Sequence, residues 1–495
     1  MTARAYRAWL VALLFVSAAA RLVLQMAPMP PYAGLDEIYH VARVRFVAQE
    51  HRQPSKREPS ISRGLARSIR QEAGAPPAFA IIAERWPDVV ASGARFHGEA
   101  PVDGDYQLAN YEAQQPSLYY ALAAHVTTSL RGLRLLSLVF ALVVIACSAF
   151  IGWRLFGEVG LLAAALLAHL PTWQTLVSRA SNDALACALI ALALAFTASR
   201  RTAGEAIAWA LAIATKLYAL PVLIAVPFFW RQQRATRARM AIVAIACALA
   251  LSFVIVDATH RTGNALGIEA FDPPHAAAQS HIDWRATARI FLPTFVQTLF
   301  WTSGQHWNAL TPLGLAVLVL PLLVLLARRI PAPLLAALIA FALAQLVDFA
   351  GFVRAARAAG LSVPAGGPGA WYWYALAPLL VLLIAPALRT KRAIVLVAWL
   401  LAFDIATHEG ALLRDWRGVT TPAHRGPLVR WGSNGNAGAS LAVGPFADQT
   451  LWLRAIDVAA LIALLALSRR LSPTAAPNVP DRDRAPAAEP VSPAA

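Results

Sequence analysis

Four short stretches carry residue types that could do chemistry, and each lies at the edge of an apolar segment. The first, LDEIYHVAR, places Asp36, Glu37, His40 and Arg43 directly after a greasy N-terminal run. On a helix starting near Asp36, steps of four and three residues bring Asp36, His40 and Arg43 onto one face. Glu37 points about 100° away but stays near the same mouth. A carboxylate beside an imidazole and a guanidinium suits a general base working on a polar acceptor next to an anion. Asp36 could equally be a helix cap, a role Asp often takes, and His40 could be structural.

In the second stretch, VSRASNDALACAL, Asp183 falls at the outer end of the apolar segment 158–177, with Arg179 four residues before it. An ionisable group at that depth faces a water-filled cavity or a partner, unless it serves as a cap in competition with Ser181 and Asn182. The third, TKLYALP, puts Lys216 at the turn of a short apolar hairpin. Burying a lysine within a membrane costs about 2.5–3.5 kcal/mol unless it meets water or a counter-charge. It either snorkels to the interface or holds an anion such as a phosphate. The fourth, YEAQQPSLYY, delivers Glu112, Gln114, Gln115 and Tyr119 to the start of another apolar run.

The elements that must position these groups are membrane spans. The chain has 495 residues, 58% of them hydrophobic and 14% charged, with a mean hydropathy of +0.54. Soluble domains carry about 25% charged residues. Apolar segments fall at 8–27, 132–153, 158–177, 183–199, 204–215, 217–230, 239–257, 308–327, 331–351, 371–388, 393–407 and 450–468. Basic residues cluster in the short turns between them, so a net charge of +16 reflects cytoplasmic loops rather than a nucleic-acid surface. With every basic turn inside, twelve spans result and both termini are cytoplasmic. The expectation is an all-α, multi-pass protein of the cytoplasmic (inner) membrane. The first span reads as a signal anchor rather than a cleaved signal.

The long loops then face outward: 28–131, 258–307, 352–370 and 408–449. Residues 116–129 read as a helix lying at the interface, with Tyr119 and Tyr120 at headgroup level. Another interfacial helix is expected between Trp284 and Trp301, and the hairpin 204–230 is expected to hold two short helices. Residues 1–471 form one membrane domain, and 472–495 read as a disordered cytoplasmic tail rich in Pro and Ala. The three cysteines lie within apolar spans and imply neither disulfides nor zinc. No internal repeat is visible, which weighs against an inverted-repeat transporter.

Taken in order, LDEIYH, QPSLYY, SNDAL and TKLYALP resemble motifs of the GT-C superfamily of polytopic glycosyltransferases. The likeness is to the bacterial branch that includes aminoarabinose transferases and protein mannosyltransferases. It spans residues 1–260 by motif and the rest only by its run of apolar segments. The resemblance implies a membrane core with an outward cavity capped by the first loop. It implies transfer of a sugar, with inversion, from a polyprenyl-phosphate-type carrier to an envelope glycan, lipid or protein on the extracytoplasmic face.

By position, Asp36 would be the base, with Glu37 beside it and Asp183 the second acid of the pocket. Lys216 would lie near the carrier phosphate, with His40, Arg43, Gln114, Gln115, Tyr119 and Arg179 as binding residues. A divalent cation held by Asp36 and Asp183 could share the charge neutralisation. An insertion at 51–105, rich in Arg and Pro, departs from the pattern and leaves the acceptor open. A transporter or flippase of lipid-linked sugars would use the same cations without a base. A non-catalytic envelope-assembly protein would need neither acid.

Overall fold

A computed structural model describes residues 3–26, 37–55, 58–65, 104–170, 179–263, 330–358, 370–389 and 450–470, with short pieces at 284–285, 287–289, 291, 308–310, 395, 397–399 and 429–431. The chain opens with α1 (Ala3–Met26) and α2 (Glu37–Glu50). Two strands follow, β1 (Pro59–Ser62) and β2 (Tyr106–Ala109), then a 3-10 turn over Tyr111–Gln114. The next helices are α3 (Leu118–Val126), α4 (Leu130–Phe156), α5 (Glu158–Leu167), α6 (Asn182–Ser199) and α7 (Thr202–Thr215). They are succeeded by α8 (Ala219–Leu223), α9 (Val226–Gln233), α10 (Arg237–Thr262) and β3 (Asn308–Leu310). The last described elements are α11 (Ala332–Ala358), a 3-10 turn over Ala370–Leu376, α12 (Ala377–Leu388), β4 (Val429–Trp431) and α13 (Thr450–Arg470).

Among the described residues, α1, α4, α6, α10 and α11 are long and apolar enough to cross a bilayer. The shorter apolar helices fall at Glu158–Leu167, Thr202–Thr215, Trp373–Leu388 and Ala455–Ala466. The fold is that of a mostly helical, multi-pass membrane protein. The all-α expectation needs one correction, because β1 pairs antiparallel with β2 and β3 with β4. The first pairing brings together the two ends of the inserted segment in the first loop. The second ties 308–310, expected to open a span, to the loop around Trp431. The tail after 471, most of the Trp284–Trp301 stretch and most of the expected spans 308–327 and 393–407 lie outside the described residues.

Local chemistry sets the helix ends. Ser129 starts α4 by accepting a hydrogen bond from the Gly132 amide at 3.0 Å, and Thr236 does the same for α10. Gly157, at φ +68°, turns the chain between α4 and α5. The two helices then cross at a pair of glycines, where a Cβ on Gly160 would stand 2.0 Å from the Gly152 carbonyl carbon. Small residues of this kind let membrane helices approach closely enough to pack without a hydrophobic drive.

The hairpin after Ser199 differs from expectation. Its first arm is one helix, α7, but its second is broken into α8 and α9. Pro227 lacks the amide that would bond back to the Leu223 carbonyl, so one helix cannot run through Ile224 and Ala225, whereas Pro221 falls in the first turn of α8, where its missing donor is tolerated.

The contacts between helices sort their ends into two sets. Arg7 pairs with Glu158 at 3.4 Å, and Arg389 donates to the Phe156 carbonyl at 2.9 Å. Glu205 pairs with Arg239 at 2.6 Å, and takes further hydrogen bonds from Thr197 and Trp230. All of these belong to ends that the basic turns assign to one side. Glu37, Arg134, Ala180, Asp183, Lys216 and Arg261 make their contacts at the opposite ends.

Candidate functional site

The second set of ends converges on α2. Its ionisable side chains Glu37, His40, Arg43 and Arg45 are buried and only Glu50 at its end is exposed, which is unusual for a short polar helix. Asp36 lies just before it, outside the described residues, so its part in the expected shared face is not described. His40 and Arg43 do share a face, and both meet Tyr120. The His40 Nδ1 and the Tyr120 hydroxyl share a hydrogen bond of 2.8 Å, and the Arg43 guanidinium lies 3.8 Å from the centre of the Tyr120 ring.

Tyr119 and Tyr120 correct the reading of their helix. Both are fully buried against α2 and so face protein rather than headgroups: their rings join its apolar residues, and the Tyr120 hydroxyl meets His40. The outward face of α3 is carried instead by Leu122 and Val126, which are exposed.

Glu37 is tied down. It accepts from Arg134 Nε at 2.8 Å and Nη2 at 2.7 Å, and from the Ala180 amide at 3.0 Å. Arg134 is the functional partner that sequence reasoning missed. It stands near the start of a span with Arg131 three residues before it, and an arginine there asks for a counter-charge.

Asp183 sits in the first turn of α6, not at the end of the preceding segment. Its carboxylate is not spent as a cap. It pairs with the Lys216 ammonium and lies 3.8 Å from Arg179 Nη2. Lys216 is 7% exposed and so does not snorkel; it also donates to Asn182 Oδ1 at 3.2 Å. It holds this position because α7 ends at Thr215 and Lys216 itself is extended, turning its side chain back toward α6.

Gln115 joins the two halves. Its side-chain oxygen accepts from Asn182 Nδ2 at 3.5 Å, and its carbonyl accepts from Arg43 at 2.9 Å and Arg261 at 3.1 Å. The 3-10 turn carrying Glu112 and Gln114 is thereby clamped beside α2, with Arg43 also donating to the Glu112 carbonyl at 2.6 Å.

Burial governs the electrostatics. It lowers the His40 imidazole well below its usual 6.5, aided by Lys216, Arg179 and Arg43 and opposed by Asp183. His40 is therefore neutral at physiological pH and can accept or relay a proton. Burial also draws Arg43 down to about 10, with Tyr120 opposing, which leaves it charged. The Tyr119 phenol is pushed up by burial and then by Glu37 and Asp183, so it stays a hydroxyl donor.

Several buried polar atoms have no hydrogen-bond partner among the described residues: Arg179 Nε, Ser181 Oγ, Tyr119 Oη and Gln114 Oε1. Buried polar groups are rarely left so, and each calls for a partner. Three of the four can donate, which suits an anion.

A divalent metal fits the described residues poorly. No three His, Cys, Asp or Glu side chains come together among them, and Asp183 is already held against two cations. A metal would need Asp36.

No family model matches the chain, and no curated protein matches it in sequence. Among solved structures, it is similar to ArnT from Cupriavidus metallidurans bound to undecaprenyl phosphate, at 15% identity and a TM-score of 0.42, over 94% of this chain and 72% of that one. The same protein in the apo state gives 16% and 0.42, over 94% and 73%. The oligosaccharyltransferase of Archaeoglobus fulgidus in the apo form gives 12% and 0.36, over 94% and 56%. These structures belong to the GT-C superfamily that the ordered motifs resemble. With TM-scores below 0.5, the likeness carries no weight for substrate or chemistry, which must come from the residues.

Proposed function

We propose that this chain is a membrane glycosyltransferase that moves a sugar from a polyprenyl-phosphate carrier to an acceptor of the cell envelope. One observation carries the reading. Lys216 and Arg179 are both buried around a single carboxylate, Asp183, beside donors that have no partner among the described residues. Two cations in direct contact with one carboxylate leave a local surplus of positive charge where a span meets its outer loop, since Asp348 acts on Lys216 without forming an ion pair with it. Such a surplus is costly in isolation and is stabilised by an anion that arrives from the membrane.

The chemistry follows from that charge. A carboxylate base takes the proton of the acceptor hydroxyl or amide as its oxygen or nitrogen attacks the anomeric carbon. The bond from that carbon to the phosphate oxygen breaks, and its electron pair leaves with the phosphate. Lys216 and Arg179 stabilise the charge that grows there, so no strong general acid is required. A single displacement of this kind inverts the anomeric centre. Asp36 is the proposed base, since Glu37 is committed to Arg134 and Asp183 to Lys216. The site faces outward if the basic turns lie in the cytoplasm.

Lys216→Ala tests the reading. Binding of undecaprenyl phosphate to the purified protein should weaken by about 10- to 150-fold, the worth of one charge-assisted contact. The double variant Lys216→Met/Asp183→Asn removes the pair without leaving a lone buried charge, and should weaken it similarly. Binding within two-fold of the parent in both proteins would sink the phosphate role.

A further inference from the structure

The inward face of α11 changes character along its length. Leu334, Ala337 and Phe341 are buried, and then Gln345 is buried and Asp348 half-buried, at steps of three or four residues, with Phe349 buried beside Asp348. These positions share one face of the helix. A span packed only against neighbours and lipid has no reason to turn polar there, because an ionisable residue in a span is costly and marks a partner or a wet cavity. Asp348 makes no hydrogen bond or ion pair with another described residue, yet the charge of Lys216 reaches it.

The surroundings connect this face to the site. Trp373 donates its indole N–H to Gln345 Oε1 at 2.6 Å. The Phe341 ring lies 6.4 Å from that of Trp373 and 6.1 Å from that of Tyr218. Tyr218 in turn donates its hydroxyl to the Asp183 carbonyl at 3.2 Å, and its ring centre lies 5.4 Å from the Lys216 ammonium. Phe341 is buried behind, whereas Tyr218 and Trp373 are only partly buried. The wall thus runs from Lys216 to Gln345, with Asp348 three residues further along the same face of α11.

Aromatic rings with polar tips offer an apolar face to a ring's C–H bonds. A carboxylate accepts hydrogen bonds and cannot donate them when ionised. We infer that the outer end of α11 is the wall that recognises the transferred sugar, with Asp348 accepting hydrogen bonds from a neutral or amino sugar. The inference rests on the glycosyltransferase reading. An acidic sugar would set its carboxylate against that of Asp348, so uronic acids are disfavoured.

Binding of four lipids to the parent protein, Asp348→Asn and Asp348→Glu tests this. The lipids are undecaprenyl phosphate alone and the same lipid bearing glucose, glucosamine or glucuronic acid. The parent should bind the glucosyl or the glucosaminyl lipid more tightly than the bare one. Asp348→Asn should lose that gain, about 10- to 100-fold, with binding of the bare lipid within two-fold of the parent. Asp348→Glu should recover part of it. Equal weakening toward bare and sugar-bearing lipids, no gain from either sugar in the parent, or a preference for glucuronic acid overturns the inference. A parent that does not bind even bare undecaprenyl phosphate removes the glycosyltransferase reading itself.

Discussion

Glu37 and Arg134, 97 residues apart in sequence, form a two-pronged ion pair at 2.8 and 2.7 Å in which both side chains are almost wholly buried. It joins the start of α2 to the start of a span, and through the Ala180 amide it reaches the loop before α6. Breaking a buried pair by removing one partner costs about 3–5 kcal/mol, since the other charge is left uncompensated. Glu37→Ala should therefore lose stability on that scale, read as a lowered melting temperature of the purified protein. A variant as stable as the parent but unable to transfer sugar would make Glu37 catalytic instead.

Asp36→Asn separates a base from a cap. Asn and Asp cap helices almost equally well, so a capping residue tolerates the change. A base does not, because the amide takes no proton near neutral pH. Sugar transfer should fall by about 10²- to 10⁴-fold while donor lipid still binds. Activity within a few-fold of the parent would move the transporter reading ahead.

His40 should make the protein acid-sensitive. Its folded pKa lies below the unfolded value of about 6.5, because it is buried and faces Lys216, Arg179 and Arg43. Between the folded and unfolded values only the unfolded chain binds the proton, so stability rises with pH there. The stability contributed by neutral His40 is full above about pH 6.5 and is lost as pH falls toward the folded value, at about 1.4 kcal/mol per pH unit. His40→Gln, which cannot charge, should flatten the melting profile between pH 5 and 7. An unchanged slope would mean that other groups carry the sensitivity.

A second polar cluster lies within the spans. Asp457 of α13 accepts from Ser17 of α1 at 2.8 Å and meets His169 Nε2 at 3.1 Å, and the charge of Arg21 acts on it. All four residues are buried. Asp457→Leu removes the carboxylate on which Ser17, His169 and the charge of Arg21 converge and should cost about 3–5 kcal/mol. Ser17→Ala removes only one hydrogen bond, worth about 0.6 kcal/mol between membrane helices. Thermal unfolding in detergent should show this order, and equal effects would mean that Arg21 has another counter-charge.

Topology is open to labelling. In a variant without Cys147, Cys187 and Cys247, Ala91→Cys and Gly435→Cys should react with an impermeant reagent added from outside. Both fall in loops opposite the basic turns. Reaction only from the cytoplasmic side would invert the scheme.

The sequence by itself determined the membrane class and the two-sided sorting of helix ends. Long apolar runs and the placement of arginines are properties of composition along the chain, and the bilayer reads them locally. It also singled out Lys216 and Asp183, since an isolated charge beside a span needs a partner wherever the chain goes. Which partner each takes is decided by packing across distance. The Asp183–Lys216 pair spans 33 residues and the Glu37–Arg134 pair 97, and no local rule matches one buried charge with another so far away. The burial of Tyr119 and Tyr120 follows for the same reason, since a tyrosine at a helix surface suits headgroups and a polar core equally well. The second arm of the hairpin was expected as one helix, and Pro227 was the signal in the sequence that could have shown its break. Asp348 was not legible, because an acid near the end of an apolar run looks like a boundary until tertiary structure packs Phe341 of the same helix against Tyr218 and brings the charge of Lys216 to bear on it.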